Sequence, residues 1–414
     1  MIETKFKQTE LSLIPEDWEV GTFADFLTTF SAGATPYRGI PDNFIGQIPW
    51  ISSGELDYCE IEDTREHISL DAQRNTHLTL HKTGTFLIAI TGLEAAGTRG
   101  RCAFVKTPAT TNQSCLAINS TNKMTVKYLF WFYRQWSDYL AFNFSQGSKQ
   151  QSFTAEIAKK LPIYAPPYKE QVAIAEALND VDALICELDA LIYKKRAVMQ
   201  GTIQDLISGQ RRLFGFSTPW EHIIFGDKVN IYRGGSPRPI ENFITTNPNG
   251  LNWIKIGDVR PKDKYIAQTA EKIIPEGLSS TREVHVGDFI LSNSMSFGRP
   301  YILKIDGCIH DGWLAITNYE NTFDKDYLYY LLGSDSVYKQ YLSLAAGSGV
   351  LNLNKKLVAA VELDIPDIEE QLAIAAILSD MDAEITELET KREKYAAIRQ
   401  GMMQQLLTGK IRLI

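Results

Sequence analysis

The residues of this chain that could do chemistry lie mostly in polar, glycine-bearing loops. One loop is Gly33-Ala34-Thr35-Pro36-Tyr37-Arg38. A second runs over 91–101 and carries Arg99 and Arg101. A third, Asn112-Gln113-Ser114, and a fourth over 146–151 add Gln113, Lys149, Gln150 and Gln151. A matching set follows about 200 residues later and brings Arg233, Arg238, Asn293, Ser294, Arg299 and His310. Arginine pairs bidentately with guanine, Asn and Gln pair with adenine, and Ser, Lys and glycine amides suit phosphates. Any one such loop is an ordinary turn. As a set, repeated at matched places with different side chains, the loops read as a recognition surface. Positions that stay alike read as structural, and positions that differ are the candidates for recognising different sequences.

Catalytic patterns are missing beside them. Ala165-Pro166-Pro167-Tyr168 resembles the Pro-Pro-Tyr core of amino-methyltransferases, but Ala165 cannot accept a hydrogen bond from a target amine. The matching site, Asp364-Ile365-Pro366-Asp367, marks both as connectors into helices, where proline is at home. No glycine-rich fingerprint follows a strand and no Gly-x-x-x-x-Gly-Lys-Ser/Thr loop occurs, so no adenosylmethionine, dinucleotide or ATP site is expected in the chain. Cysteine occurs five times, at irregular spacing and without a Cys-x-x-Cys pair, which points to reduced thiols. The pair His77-x-x-x-His81 sits in an alternating polar and apolar stretch that reads as a strand. That would place the two rings on one face about 13 Å apart, too far to share a metal.

With 414 residues the chain is long enough for two or three domains, and its 44% hydrophobic and 22% charged content is that of a globular protein. The first residues are polar and no apolar stretch reaches membrane-spanning length, so a cytoplasmic location is expected. The net charge of −8 is unfavourable for a partner made of phosphates. It requires either local basic patches or cations supplied by another subunit.

A duplication organises the positions of the loops. Residues 169–213 align without a gap on 369–413, with 21 of 45 positions identical. The match continues outward more loosely through Pro166 and Pro366, Trp50-Ile51 and Trp253-Ile254, and Trp18 and Trp220. The layout is therefore globular unit, helix, globular unit, helix, and the pattern implies a pseudo-two-fold body whose two chain ends come close together.

From Glu170 to Ile207 there is no proline, and Ile174, Leu178, Val181, Ile185, Leu188 and Ile192 follow the four-three spacing of a heptad seam. The second copy repeats it at Ile374, Leu378, Met381, Ile385 and Leu388, with Asp180, Asp182, Asp380 and Asp382 expected on the outer faces. Two long helices with one narrow stripe each point to an antiparallel coiled-coil pair within the chain, against the alternatives of two separate surface helices or pairing between chains. The globular units alternate short β-like runs, such as Phe86-Leu87-Ile88-Ala89 and Phe289-Ile290-Leu291-Ser292, with aromatic helical stretches at 128–133 and 327–332. Those aromatics read as buried core, and the fold class is α+β with mostly antiparallel sheets.

Two units, each followed by a helix that opens near Pro-x-x-x-x-Glu-Gln, resemble the specificity subunits of type I restriction–modification systems. The openings are Pro166 to Gln171 and Pro366 to Gln371. Ile14-Pro15-Glu16-Asp17-Trp18 and the helix ends Leu206-Ile207-Ser208-Gly209 and Leu406-Leu407-Thr408-Gly409 are also similar. The resemblance implies target-recognition domains at 1–166 and 211–366 and spacer helices at 167–210 and 367–414. Each domain would read one half of a bipartite, asymmetric site in double-stranded DNA. The helices would set the gap and dock two methyltransferase subunits, which carry adenosylmethionine, while restriction subunits use ATP. The chain itself would be non-catalytic and hold no cofactor or metal. A competing reading is a bivalent protein scaffold that binds no nucleic acid. The acidic balance favours it, and the matched Arg- and Gln-bearing loops speak against it.

Overall fold

The computed structural model describes residues 5–147, 149–260, 263–293, 297–345 and 352–414. Ser294, and the loop 346–350 that matches 146–151, lie outside the described residues. Two compact units emerge, one made of Met1–Leu188 with Lys391–Ile414 and the other of Asp189–Thr390.

The first unit begins with β1 (Phe6–Gln8), β2 (Leu13–Pro15), β3 (Glu19–Thr22), α1 (Phe23–Phe26), β4 (Leu27–Ala32), β5 (Ile48–Ile51), β6 (Glu60–Ile61), β7 (His67–Ile68) and α2 (Leu70–Asn75). It continues with β8 (Phe86–Ala89), β9 (Cys102–Val105), β10 (Thr110–Thr111), β11 (Cys115–Ser120), α3 (Val126–Phe144), α4 (Ala155–Lys159), β12 (Pro162–Ala165) and the start of α5 (Tyr168–Ile207). Its main sheet has the order β4-β11-β8-β9-β6, antiparallel except where β6 meets β9. A smaller sheet, β10-β5-β7, pairs β10 with β5 in parallel.

The apolar runs in the main sheet are buried on both faces. Strand alternation sends Phe86, Ile88, Leu116 and Ile118 into a core closed by Tyr128, Trp131 and Phe132 of α3. It sends Leu87, Ala89, Ala103 and Ala117 into a second core shared with Ile51 and Leu56. The aromatic run at 128–133 is buried throughout, as its pattern predicts.

The second unit holds the end of α5 and then β13 (Glu221–Ile224), α6 (Phe225–Lys228), β14 (Asn230–Arg233), β15 (Ile244–Thr245), β16 (Leu251–Ile254), β17 (Tyr265–Ile266), β18 (Glu271–Ile273), β19 (Arg282–Val284) and β20 (Phe289–Ser292). There follow β21 (Pro300–Leu303), β22 (Gly307–Ile309), β23 (Trp313–Thr317), α7 (Lys325–Leu332), α8 (Asp335–Ala345), α9 (Lys355–Ala359), β24 (Glu362–Ile365) and α10 (Ile368–Leu406), which ends in the first unit. The sheet β14-β23-β20-β21-β17 repeats the first unit's order, and β16 again pairs in parallel with the short strand β22. Phe289, Leu291, Leu314 and Ile316 face the aromatics of α7, and Ile290, Tyr301, Trp313 and Ala315 face the other core.

Helices α5 and α10 have 40 and 39 residues, about 60 Å each at 1.5 Å per residue. Every seam residue named for α5 is buried except the half-buried Val181. In the first unit Asp182 of α5 pairs with Arg399 of α10, and Glu170 pairs with Arg412 just beyond it. In the second, Lys195 pairs with Glu384 and Arg212 with Glu370. Numbers rise on one helix as they fall on the other, so the pairing is antiparallel within each unit. Each helix ends at a left-handed glycine, Gly209 or Gly409, where a side chain would strike Trp220 or Pro15.

Two local expectations are corrected. Asp182 is not on an outer face, because its carboxylate lies between Arg134 of α3 and Arg399, and Asp382 is half-buried beside Lys264 and Tyr329. One step along the helix from the seam turns these positions toward the globular part, while Asp180 and Asp380 are exposed. The stretch 76–81 is not a strand. Helix α2 ends at Asn75, His77 takes a left-handed φ of 54°, and His81 makes only an isolated bridge to Ala109. The alternation there was that of a helix end followed by a loop.

Candidate nucleic-acid interface

At the end of each parallel strand pair, a glycine lets one loop lie directly on another. A Cβ on Gly33 would stand 1.9 Å from the Thr111 carbonyl oxygen, and one on Gly234 would stand 2.0 Å from that of His310. Only glycine fits so close an approach. In the first unit the seated loop is held by the Ala34 N–H donating to the Thr111 carbonyl at 3.1 Å and by the Trp50 indole N–H donating to the Ala34 carbonyl at 3.0 Å. Two residues past each glycine, a hydroxyl reaches across. Thr35 donates to Gln113 Oε1 at 2.5 Å, and Ser236 donates to Asp311 Oδ1 at 3.0 Å. The two units therefore share a backbone and a hydroxyl anchor, and they differ in what the hydroxyl holds.

The other candidates divide by what they touch. Arg38 is exposed, yet both its terminal nitrogens donate to Glu66 at 2.8 Å, and its guanidinium lies 4.5 Å from the Phe44 ring centroid. That donor fork holds the Glu66 carboxyl below the usual carboxylate range. Lys149 and Gln150 are exposed. Arg101 is half-buried and donates to the carbonyls of Gly97 and Gly54.

Arg99 and Gln151 are turned inward. The Arg99 side chain is only 12% exposed, pairs with Asp138 at 2.6 Å and stacks over Phe142. The Gln151 side-chain oxygen is buried, while its backbone N–H donates to Glu94 at 2.8 Å. These two residues tie loops together.

In the second unit the structure brings Arg233, Asn293 and His310 to one cleft with Lys255, Asp311 and Asn352. Arg238 and His310 line an adjoining cleft of about 790 Å³ with Trp253 and Glu271. Asn293 is 3% exposed, and its side-chain amide donates to the Asp311 carbonyl at 2.7 Å, so it positions the neighbouring residue. The His310 ring sits beside Trp253 and Trp313, with centroids 6.2 and 6.4 Å away. Arg299 is exposed in a different cleft, with Lys264, Tyr329 and Asp382.

Sequence reasoning passed over Asp311, Lys255 and Tyr37. Asp311 was legible, because the alignment of Asn112-Gln113-Ser114 on His310-Asp311-Gly312 sets it opposite Gln113. Lys255 and the 75%-exposed Tyr37 carry no comparable signal.

Among the described residues no group of three or more His, Cys, Asp or Glu stands close enough to hold a metal ion. A twice-built β core that ends in anchored, side-chain-variable loops defines a repeated recognition protein. The chain belongs to the type I restriction–modification DNA specificity family, whose domain model matches it twice, at residues 15–194 and 218–397. It is 23% identical to the type I restriction enzyme MjaVIII specificity subunit of Methanocaldococcus jannaschii, over 99% of this chain and 97% of that one. Its fold is similar to the crystal structure of the type I S subunit from M. genitalium, with a TM-score of 0.61 and 15% identity over 97% of this chain and 98% of that one. It is also similar to a chain from a structural study of complex assembly and conformational transition in a type I system, with a TM-score of 0.58 and 16% identity over 96% and 99%. The chain is a type I specificity subunit, and its two matched domains are the DNA-recognition domains of the family.

Proposed function

We propose that each unit reads one half of a bipartite, asymmetric sequence in double-stranded DNA, through the loops that its glycine and hydroxyl anchors hold. The observation that carries this reading is the shared anchor with a different side chain in its grip, Gln113 in one unit and Asp311 in the other. A protein that only scaffolds other proteins has no use for one backbone presenting two hydrogen-bonding patterns at matched places. Arg38, Arg101, Gln113, Lys149, Gln150, Arg233, Arg238, Arg299 and His310 are the proposed contacts. Arg99, Gln151 and Asn293 support them from below. Ser294 belongs to the same proposal on its sequence match alone.

Helices α5 and α10, over the proposed spacer segments 167–210 and 367–414, set the unread gap and dock two methyltransferase subunits. The recognition domains are the segments 1–166 and 211–366. Adenosylmethionine and ATP belong to the methyltransferase and restriction subunits, and this chain contributes no catalytic group. Partner cations answer the net charge of −8. A cytoplasmic complex is part of the same proposal; among the described residues no helix is long and apolar enough to cross a membrane.

The test is selection of bound duplexes from a randomised pool by the chain assembled with its methyltransferase partner, repeated at several salt concentrations. The expected result is one split sequence and an affinity that falls linearly on a log–log plot against salt. A pool without sequence preference, or binding indifferent to salt, overturns the reading.

A further inference from the structure

The geometry points to a specific base pair for each unit: Gln113 selects an A·T pair through adenine, and Asp311 with Arg238 selects a C·G pair. This deepens the DNA-reading function above and rests on it.

The hydroxyl anchors decide which hydrogen-bonding groups are left to offer. Thr35 donates to Gln113 Oε1, so its hydroxyl takes one lone pair of the amide oxygen. The exposed side chain then offers an N–H₂ donor and the second lone pair of Oε1. Adenine presents the complement in the major groove, an N7 acceptor beside an N6 donor. Guanine, with N7 and O6 both acceptors, leaves the amide oxygen opposite an acceptor. Arg38, in the loop that carries Thr35, has both terminal nitrogens on Glu66.

Asp311 is the opposite case. A carboxylate brings only acceptors. Ser236 fills part of one oxygen at 3.0 Å, and the side chain is 46% exposed. What remains requires an amino group, which in the major groove is cytosine N4 or adenine N6. Arg238 chooses between them. Its guanidinium is 80% exposed and stands 3.6 Å from Asp311 Oδ2, an ion pair loose enough to be shared. Arginine is suited to guanine O6 and N7, and guanine is the partner of cytosine. One C·G pair therefore satisfies both side chains at once. Arg233 is exposed at the edge of the same cleft, and Lys255 beside it is paired with Glu271 at 2.5 Å.

The experiment uses the chain assembled with its methyltransferase partner and the same randomised pool, with the wild type, Asp311→Asn and Gln113→Glu in parallel. The wild type is expected to fix an A·T pair in one half of its sequence and a C·G pair in the other. Asn keeps the shape of Asp311 and turns one acceptor into a donor while Arg238 still favours guanine, so Asp311→Asn should weaken the C·G preference. The loss of C·G preference should be on the order of ten- to a hundredfold, and the other half should stay unchanged. Gln113→Glu removes the donor to adenine N7 and leaves only acceptors, so in its own half the A·T position should relax toward equal acceptance of A·T and C·G. In each variant the untouched half reports that the complex is folded and bound. Both halves staying as in the wild type, in both variants, overturns this inference and leaves DNA reading intact. A wild type that selects no split sequence overturns the function on which it rests.

Discussion

Arg38 and Arg99 are the same side chain put to different work. Arg38 holds Glu66 in solvent across two aromatic rings, and Arg99 is walled in by Asp138 and Phe142. Arg38→Ala should therefore weaken DNA binding by the assembled complex while shifting its melting temperature little. Arg99→Ala should lower stability by about 1 kcal/mol, because Arg99 is mostly covered while its partner Asp138 stays 72% exposed, with the selected sequence kept. Thermal melting and duplex selection on both variants separate the two roles. Equal melting temperatures would refute the distinction. The residue scale is also where the sequence was least legible. Both arginines stand in polar, glycine-bearing loops, and nothing in their spacing tells which one meets a carboxylate 39 positions away on a helix. Gln151 and Asn293 were misleading for the same reason. The Gln151 amide oxygen is buried in its loop, and the Asn293 amide donates to the Asp311 carbonyl.

At the scale of elements the pattern was far more informative. The short apolar runs of β8 and β20, the aromatic runs of α3 and α7, and the seam of α5 each point to burial without partner information, and all are buried but the half-buried Val181 and Tyr329. The stretch 76–81 failed because six residues of alternation cannot tell a strand from a capped helix end. The helix ends carry the next prediction. Glu170 and Glu370 are about 1% and 0% exposed, each gripped by an arginine from beyond the end of the opposite helix. Removing the cation leaves a buried carboxylate without its ion pair, so Arg412→Ala should cost about 3–5 kcal/mol in denaturant unfolding, and Arg212→Ala, whose Glu370 keeps the Trp220 indole donor, should destabilise in the same direction. Trp131→Ala, which opens the core under α3 and frees Asn179 from its indole N–H, should cost a similar amount. Values below 1 kcal/mol for the arginine variants would mean that water reaches the carboxylates.

For the molecule as a whole, the modular reading makes a sharp demand. Replacing residues 1–166 with the corresponding domain of another family member should change one half of the selected sequence and leave the other as it was. A change in both halves would show that the units do not read independently. Adding a helical turn to both α5 and α10 should lengthen the unread gap, and an unaltered gap would deny the helices their spacing role. Both outcomes can be read from methylation positions on host DNA.

The composition of the first unit has a consequence for how the protein is made. Its core includes Met403, Leu406 and Leu407, and its Asp17 and Glu170 are clasped by Arg412. The second unit, by contrast, is one unbroken segment of chain, Asp189–Thr390. The part synthesised first thus needs residues 391–414 to complete its core, whereas the later-made unit needs none of them. A stop codon just after position 390 would spare the second unit and leave the amino-terminal one open. Damage at the far end of the gene would then be felt in the half of the protein translated first.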